Sequence, residues 1–382
     1  ATAALARLHV DGAAEVDWSA AFAGRPVRPT DLPTYPFQRQ RHWLDRPAAL
    51  AAATLSDAIL SDVRGAGEPA HPLLGAAVEL ADGALALSGR LDPAALPWLA
   101  DHAVRDTVLL PGTAFVDLVL TAGRRAGAPL VEELALTAPL VLPAAGAIEI
   151  QVIVAAAQPS AGQGAEGGRR AVTVYSRPDA TRPGPDAAPA PWHQHATGFV
   201  RTTQAPIGET AGDAALGGAW PPPGAVALDV DDLYPRLAGD GYQYGPAFRG
   251  LRAAWRLGDD ILADVVLPAS ANERAEGFAV HPALLDAALH AVVGLLPATG
   301  GDTADAAASQ SLTRLPFTWN DVALTGTGTG TGALRVRVAA TGSDRCTLTV
   351  ADEAGGPVAT IGGLTLRPVA TEALLAAGRR VA

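Results

Sequence analysis

Asp286 and His290 lie four residues apart in "HPALLDAALHAVVGLL" (His281 to Leu296). On a helix that spacing puts both side chains on one face. Their neighbours Leu284, Leu285, Ala287, Ala288 and Leu289 are apolar. Two readings follow. Either the pair is a polar stripe meeting solvent, or it is a buried carboxyl oriented by an imidazole, since a buried acid is expensive without a partner. His102 stands in "ADHAVRDTVLLPGTAF", just before a second helical pattern. It is either a structural histidine or a base. If His102 and Asp286 share one narrow tunnel, a base and a carboxylic acid face each other. That is equipment for removing water from a β-hydroxyacyl compound. "GYQYGPAFRG" (Gly241 to Gly250) reads either as a tight, aromatic-packed turn or as a pocket wall in which Tyr244 offers a hydroxyl. His193 and His195, two apart in a strand pattern, would point to one face. They lack a nearby third residue to complete a metal site.

The elements that must position these residues are legible by period. "PGTAFVDLVLTAGRRAG" (Pro111 to Gly127) repeats apolar residues at helical spacing, with Pro at its start and Gly near its end. Strand-like runs include "ALALSGRLD", "LVLPA", "IEIQVIVAAA", "AVTVYSR" and "HATGFVRT", and later "FRGLRAAWRL", "ILADVVLP", "ALRVRVAAT", "RCTLTVAD" and "GLTLRPV". "VDDLYPRLAG" reads as a short helix. Each half therefore has one prominent helix and a run of strands, the helices starting near Gly112 and Pro282. The simplest architecture is a duplicated α+β unit with two sheets, each wrapped round one helix. Domain limits are predicted at 71–212 and 229–372, with an inter-unit linker at 213–228, a linker at 47–70 and a separate segment at 1–46. In that segment "DLPTYPFQRQRHWL" suits an extended strip lying on another surface, with Tyr35, Phe37 and Trp43 as anchors.

Composition narrows the function classes. The chain has 382 residues, 49% of them hydrophobic and 18% charged, with 41 Gly and 31 Pro. Its net charge of −11 argues against nucleic acid as a partner. No apolar stretch is long enough to span a membrane. A single cysteine, Cys346, excludes an internal disulfide framework. All 28 basic residues are Arg, and there is no Met, so the chain reads as a piece of a longer polypeptide.

From His71 to Val369 the chain resembles the dehydratase domain of a modular type I polyketide synthase. The motifs run in that family's order: "HPLLG", "HAVRDTVLLP" against HxxxGxxxxP, "GYQYGPAF" against GYxYGPxF, "LLDAALH" against DxxxQ/H, and "LPFTW". Residues 1–46 look like the linker that follows an acyltransferase domain. The resemblance implies a double hot dog fold and a β-hydroxyacyl substrate on the phosphopantetheine of an acyl carrier protein. No bound cofactor or metal is expected. It also implies neighbouring acyltransferase and ketoreductase domains, a homodimer and a cytoplasmic megasynthase. His102 would take the α-proton and Asp286 would protonate the departing hydroxyl. His290 would orient Asp286, and Tyr244 would help hold the hydroxyl. Gly112, after Pro111, would open a helix whose N–H groups face the thioester oxygen. Tyr242, Gly245, Pro246, Phe248 and Leu110 would line the tunnel. An apolar tunnel would keep Asp286 protonated and His102 neutral. Arg124 and Arg125, or Arg249, Arg252 and Arg256, would give an acidic carrier protein a basic patch.

One position departs from the motif. Asp106 replaces its Gly. An ionised Asp106 about 4 Å from His102 would favour imidazolium by roughly 4 kcal/mol at an effective dielectric of about 20. Pointing to water, it would lose most of that effect. Three outcomes stay open: an active dehydratase, an isomerase or ether-forming cyclase in the same pocket, and a silent dimerising scaffold. A metal site of His102, Asp286 and His290 is a fourth reading.

Overall fold

The computed structural model describes residues 2–12, 15–24, 71–75, 77–157, 168–179, 190–202, 215–272, 275–295, 313–324, 332–369, 374 and 377–378. The linker at 47–70, the anchors Tyr35, Phe37 and Trp43, and most of the expected 1–46 segment lie outside them. The chain divides into two compact units, Ala1–Ala51 and Ala52–Ala382. In the first, helix α1 (Thr2–Val10) precedes a 3-10 turn at Trp18–Phe22. The Asp17 carboxylate caps that turn by accepting the Ser19 N–H at 2.9 Å.

The second unit is built from strands β1 (Ala77–Glu79), β2 (Leu85–Leu91), β3 (His102–Val104), β4 (Thr107–Val108), β5 (Leu130–Leu136), β6 (Ile148–Val154), β7 (Arg169–Pro178) and β8 (His193–Arg201). These are followed by β9 (Val226–Leu228), β10 (Tyr242–Tyr244), β11 (Leu251–Leu257), β12 (Asp260–Val266), β13 (Arg314–Leu324), β14 (Ala333–Ala340), β15 (Arg345–Asp352) and β16 (Pro357–Pro368). Helices α2 (Gly112–Arg125), α3 (Leu233–Gly239), α4 (Ala269–Asn272) and α5 (Pro282–Leu295) are interspersed.

Thirteen of these strands make one continuous antiparallel sheet where the sequence pattern points to two. Its order is β1-β2-β6-β7-β8-β5-β13-β16-β15-β14-β12-β11-β9. The first six belong to the first half and the rest to the second. The halves join where β5 pairs with β13, Leu134 opposite Trp319. Unpaired edge strands expose N–H and C=O groups, and this pairing removes one edge from each half. The result is a double hot dog. Helix α2 packs on β5, β6 and β8, and α5 on β11, β12 and β14. The expected 213–228 linker does not stay outside the sheet. Its end is β9, which pairs with β11, and Trp220 donates to Asp264 at 2.6 Å.

The two central helices differ in their chemistry. Helix α5 is apolar all round and buried from Pro282 to Val292, with Asp286 and His290 as its polar exceptions. Such a helix belongs inside a core. Pro282 at its first turn presets the helical φ. His281 closes the start, since its Nδ1 accepts the Ala283 N–H at 3.1 Å. The two helices start side by side, because the Thr113 hydroxyl of α2 donates to the Pro282 carbonyl at 3.0 Å.

Burial pushes the His281 imidazole down from its usual 6.5 to about 4. The unfolded chain therefore takes up this proton first as pH falls. The contribution to stability is whole above pH 6.5 and is lost on going down to about 4, by up to roughly 3 kcal/mol. Urea unfolding midpoints should fall across that window in wild type. They should fall less in His281→Asn, which keeps an acceptor for Ala283. Among the described residues no helix is long and apolar enough to cross a membrane.

Candidate active site

A small sheet of order β10-β3-β4 joins the two halves. Its register sets Tyr244 directly opposite His102. The β3–β4 hairpin turns through Arg105 and Asp106, both at positive φ (47° and 62°). This is the conformation for which the family motif uses Gly, and Asp tolerates it better than most residues. The Asp106 carboxylate is not among the charges that shift the imidazole. It is exposed and accepts the Gln243 side-chain N–H at 2.8 Å, while the Asp106 N–H donates to Gln243 Oε1 at 2.8 Å. Asp106 closes the hairpin against β10 and faces water.

His102 is buried, and its Nδ1 lies 3.0 Å from the Leu109 carbonyl oxygen. A carbonyl only accepts, so Nδ1 carries the proton and Nε2 keeps its lone pair. Burial pushes the imidazole below its ordinary value, and the facing Asp286 carboxylate pulls it partly back. His102 is therefore neutral at neutral pH. Its Nε2 is 3.8 Å from Asp286 Oδ2, too far for a hydrogen bond between them.

Asp286 and His290 are both buried, so they do not form a solvent-facing stripe. His290 Nε2 is 3.1 Å from Asp286 Oδ2. The Tyr244 ring lies against the His290 ring, centroids 4.0 Å apart, and the Phe248 ring backs His102 at 5.1 Å.

A cavity of about 330 Å³ opens onto His102 and Asp286. Leu110, Gly112, Tyr242 and Tyr244 line it as expected; Leu109, Phe115, Leu136, Pro316 and Phe317 add further walls. Gly112 leaves little to spare, since a Cβ there would meet Leu136 and Pro316 at 3.2 Å. In the first turn of α2 the Ala114 N–H donates to the Pro111 carbonyl at 3.0 Å, while those of Gly112 and Thr113 lack an acceptor within the helix and can serve a ligand there. Burial pushes the Tyr242 phenol up to about 12 and that of Tyr244 well above its usual value. Both stay protonated donors at neutral pH.

Three expected wall residues lie elsewhere. Gly245, Pro246 and Phe248 do not line the cavity. After β10 the chain turns into a 3-10 helix, Pro246–Phe248, so strand alternation ends at Tyr244. Gly245 is needed instead because its missing Cβ would strike the Asp101 carboxylate, which accepts the Ala247 N–H at 2.8 Å. Pro111 caps α2 and also stays off the wall. Tyr242 has a structural bond as well, its hydroxyl donating to the Arg314 carbonyl at 2.7 Å. His193 and His195 do not share a face. A bulge opposite Val174 and Tyr175 leaves His193 exposed and His195 buried, 2.8 Å from the Ser176 hydroxyl. Among the described residues no group of three or more His, Cys, Asp or Glu suits a metal ion.

Two features were not legible in the sequence. Arg314 and Arg367 line the cavity as its cations, and Tyr234 of α3 reaches His290 Nδ1 at 3.3 Å. Of the arginines singled out earlier, Arg249 and Arg256 direct donors to the Tyr244 and Leu295 carbonyls.

The arrangement pairs an imidazole lone pair with a carboxyl group across an apolar cavity, in a fold shared by known proteins. Family models described as the polyketide synthase dehydratase domain and the polyketide synthase dehydratase N-terminal domain match residues 71–177 and 213–376. Polyketide synthase GfsA of Streptomyces halstedii is 46% identical over 384 residues, which is 99% of this chain and 5% of that protein. The chain thus spans a small part of such relatives. The bifunctional dehydratase-cyclase domain in ambruticin biosynthesis is 42% identical, with a TM-score of 0.68 over 81% of this chain and 100% of its own. A dehydratase structure from work on substrate selection in the borrelidin and fluvirucin polyketide synthases is 40% identical. Its TM-score is 0.66, over 79% of this chain and 95% of its own. The chain belongs to the dehydratase domains of modular type I polyketide synthases.

Proposed function

We propose that the chain removes water from a β-hydroxyacyl thioester to give the α,β-unsaturated thioester. The observation that carries this reading is the neutral His102, its Nε2 lone pair 3.8 Å from Asp286 Oδ2 at the wall of an apolar cavity. His102 Nε2 takes the α-proton. The electron pair of that C–H bond becomes the new C=C bond as the β C–O bond breaks. The departing hydroxyl takes the proton of Asp286 and leaves as water. The water just released then bridges His102 Nε2 and Asp286 Oδ2, which at 3.8 Å are too far apart for direct transfer, and relays the proton back to Asp286, so the site is reset. Charge gathers on the thioester oxygen meanwhile, where N–H groups of the first turn of α2 at Gly112 stabilise it. Tyr244 holds the leaving hydroxyl. The step is redox-neutral and balanced without a cofactor. The substrate rides on the phosphopantetheine of an acyl carrier protein, whose phosphodiester suits Arg314 and Arg367.

The test is mass spectrometry of carrier-bound β-hydroxyacyl groups of both configurations, incubated with the chain. Loss of one water is the expected result. Unchanged mass in every substrate would overturn the reading. A cyclase is the second reading, favoured by the 42% identity to the ambruticin dehydratase-cyclase domain. A substrate with a further hydroxyl four bonds along the chain separates them, since ring closure removes the ultraviolet absorbance of the enoyl thioester.

Asp106 leaves the base active in this reading. Its carboxylate is exposed and bonded to Gln243, so water screens it from His102. Asp106→Gly should change kcat/KM by less than about threefold and leave its pH profile in place, because an exposed charge shifts a distant group by only a few tenths of a kcal/mol. A gain of about a hundredfold would instead show that Asp106 had protonated the base.

A further inference from the structure

His290 makes two hydrogen bonds, and they are not independent. Nε2 faces Asp286 Oδ2 at 3.1 Å, and Nδ1 faces the Tyr234 hydroxyl at 3.3 Å. A neutral imidazole has one donor and one acceptor, so the partner of one nitrogen dictates the role of the other. The Tyr234 oxygen already accepts the Leu251 N–H at 3.0 Å. Its own O–H then needs an acceptor. Among the described residues its hydrogen-bond partners are Leu251 and His290. With Nδ1 as that acceptor, Nε2 would carry the hydrogen.

We propose that Tyr234 is a positioning residue that locks His290 in its Nε2–H tautomer, so that His290 donates to Asp286 Oδ2 and leaves the other carboxyl oxygen to hold the proton delivered to the leaving hydroxyl. This rests on the dehydratase reading above. With the opposite tautomer, His290 would draw the Asp286 proton onto itself and away from the substrate.

The surroundings fit a lock. The Tyr234 ring meets the His290 ring edge-on, at 5.6 Å and 90°, while Tyr244 covers another side at 4.0 Å. Tyr234 is carried by α3, whose Leu233 and Leu237 are buried, so the phenol is held from a fixed element. Burial pushes the Tyr234 phenol up to about 12, so it keeps its proton at working pH. The family motif DxxxQ/H agrees with the chemistry. A glutamine amide presents an N–H to the aspartate with no tautomer to choose, and only a histidine needs the lock.

The experiment uses the full chain labelled with nitrogen-15 histidine. The His290 resonances are those lost in His290→Gln. Wild type should show a protonated Nε2 and a bare Nδ1. Tyr234→Phe should show a mixture or the reverse. In steady-state dehydration, Tyr234→Phe should lower kcat about tenfold, the loss of one hydrogen bond's effect, with KM within about twofold. In the His290→Gln background the same change should move kcat by less than about twofold. A wild-type spectrum with protonated Nδ1 overturns the proposal even if Tyr234→Phe fails to fold. Equal losses of kcat in both backgrounds overturn it too. The spectrum needs no substrate. If it shows the expected tautomer while no substrate loses water, the dehydratase reading fails and the tautomer lock stands.

Discussion

His102→Ala should reduce dehydration by about 10²–10⁴-fold, with Asp286→Asn losing a similar factor. The size follows from what the cavity offers in place of each group. Among the described residues lining it, the other titratable side chains are Tyr242, Tyr244, Arg314 and Arg367. The two phenols hold their protons, since burial moves both upward, and arginine does not deprotonate. Neither kind of group replaces an imidazole lone pair. Asn at 286 keeps the shape of the carboxyl and an oxygen for His290, yet has no acidic proton for the leaving hydroxyl. Rapid-quench assays with carrier-bound substrate, beside unfolding curves for each variant, separate lost chemistry from lost structure. The pH profile carries a second check. Because His102 lies below its usual 6.5, the acid limb of kcat/KM should fall below pH 6.5. A limb above 7 would mean that a carboxylate raises the imidazole more than burial lowers it.

Asp117→Ala should destabilise the fold by about 3–5 kcal/mol, because it breaks a buried pair and leaves its partners unmatched. Asp117 sits on α2 and is buried. Its Oδ2 lies 2.6 Å from His71 Nε2, and its Oδ1 accepts the Ala279 N–H at 2.9 Å. His71 Nδ1 in turn accepts the N–H groups of Leu73 and Leu74, each at 3.1 Å. One carboxylate thus ties the start of the domain and the approach to α5 onto α2. This explains why "HPLLG" opens with histidine. Asp117→Asn keeps one acceptor oxygen and should cost about 1–2 kcal/mol. Urea unfolding of both variants checks the order. A loss below about 1 kcal/mol for Asp117→Ala would show that water replaces the carboxylate.

The sequence carried the site better than its walls. His102, Asp286 and His290 were legible because spacing on a helix and order along the chain are properties of the sequence itself. The positive φ needed at Asp106 was legible from the motif's Gly. What no spacing shows is which way its carboxylate turns, and that depends on Gln243 across the hairpin. The sequence does not place Gly245, Pro246 and Phe248, because strand alternation holds through Tyr242 and Tyr244 and then stops at a 3-10 turn. Strand β5 is not legible for a related reason. A register shift between Val131 and Glu133 breaks the alternation in "LVEELAL". "LVLPA" looked like a strand and gives a single bridge, Leu109 to Val141. Tyr234 was invisible because its partner His290 is 56 residues away. The join of β5 to β13 is equally nonlocal, so the duplicated pattern in the sequence points to two sheets where the molecule has one.

The central claim is that His102 takes the proton from the α-carbon while the hydroxyl leaves. The most direct measurement uses a carrier-bound β-hydroxyacyl group with both α-hydrogens replaced by deuterium. Its mass is followed with wild type and with folded His102→Ala. Wild type should release water together with one of the two deuterons, leaving a singly deuterated enoyl group, and His102→Ala should leave the substrate unchanged. Release of water with both deuterons retained, or equal turnover by the two proteins, would contradict the account.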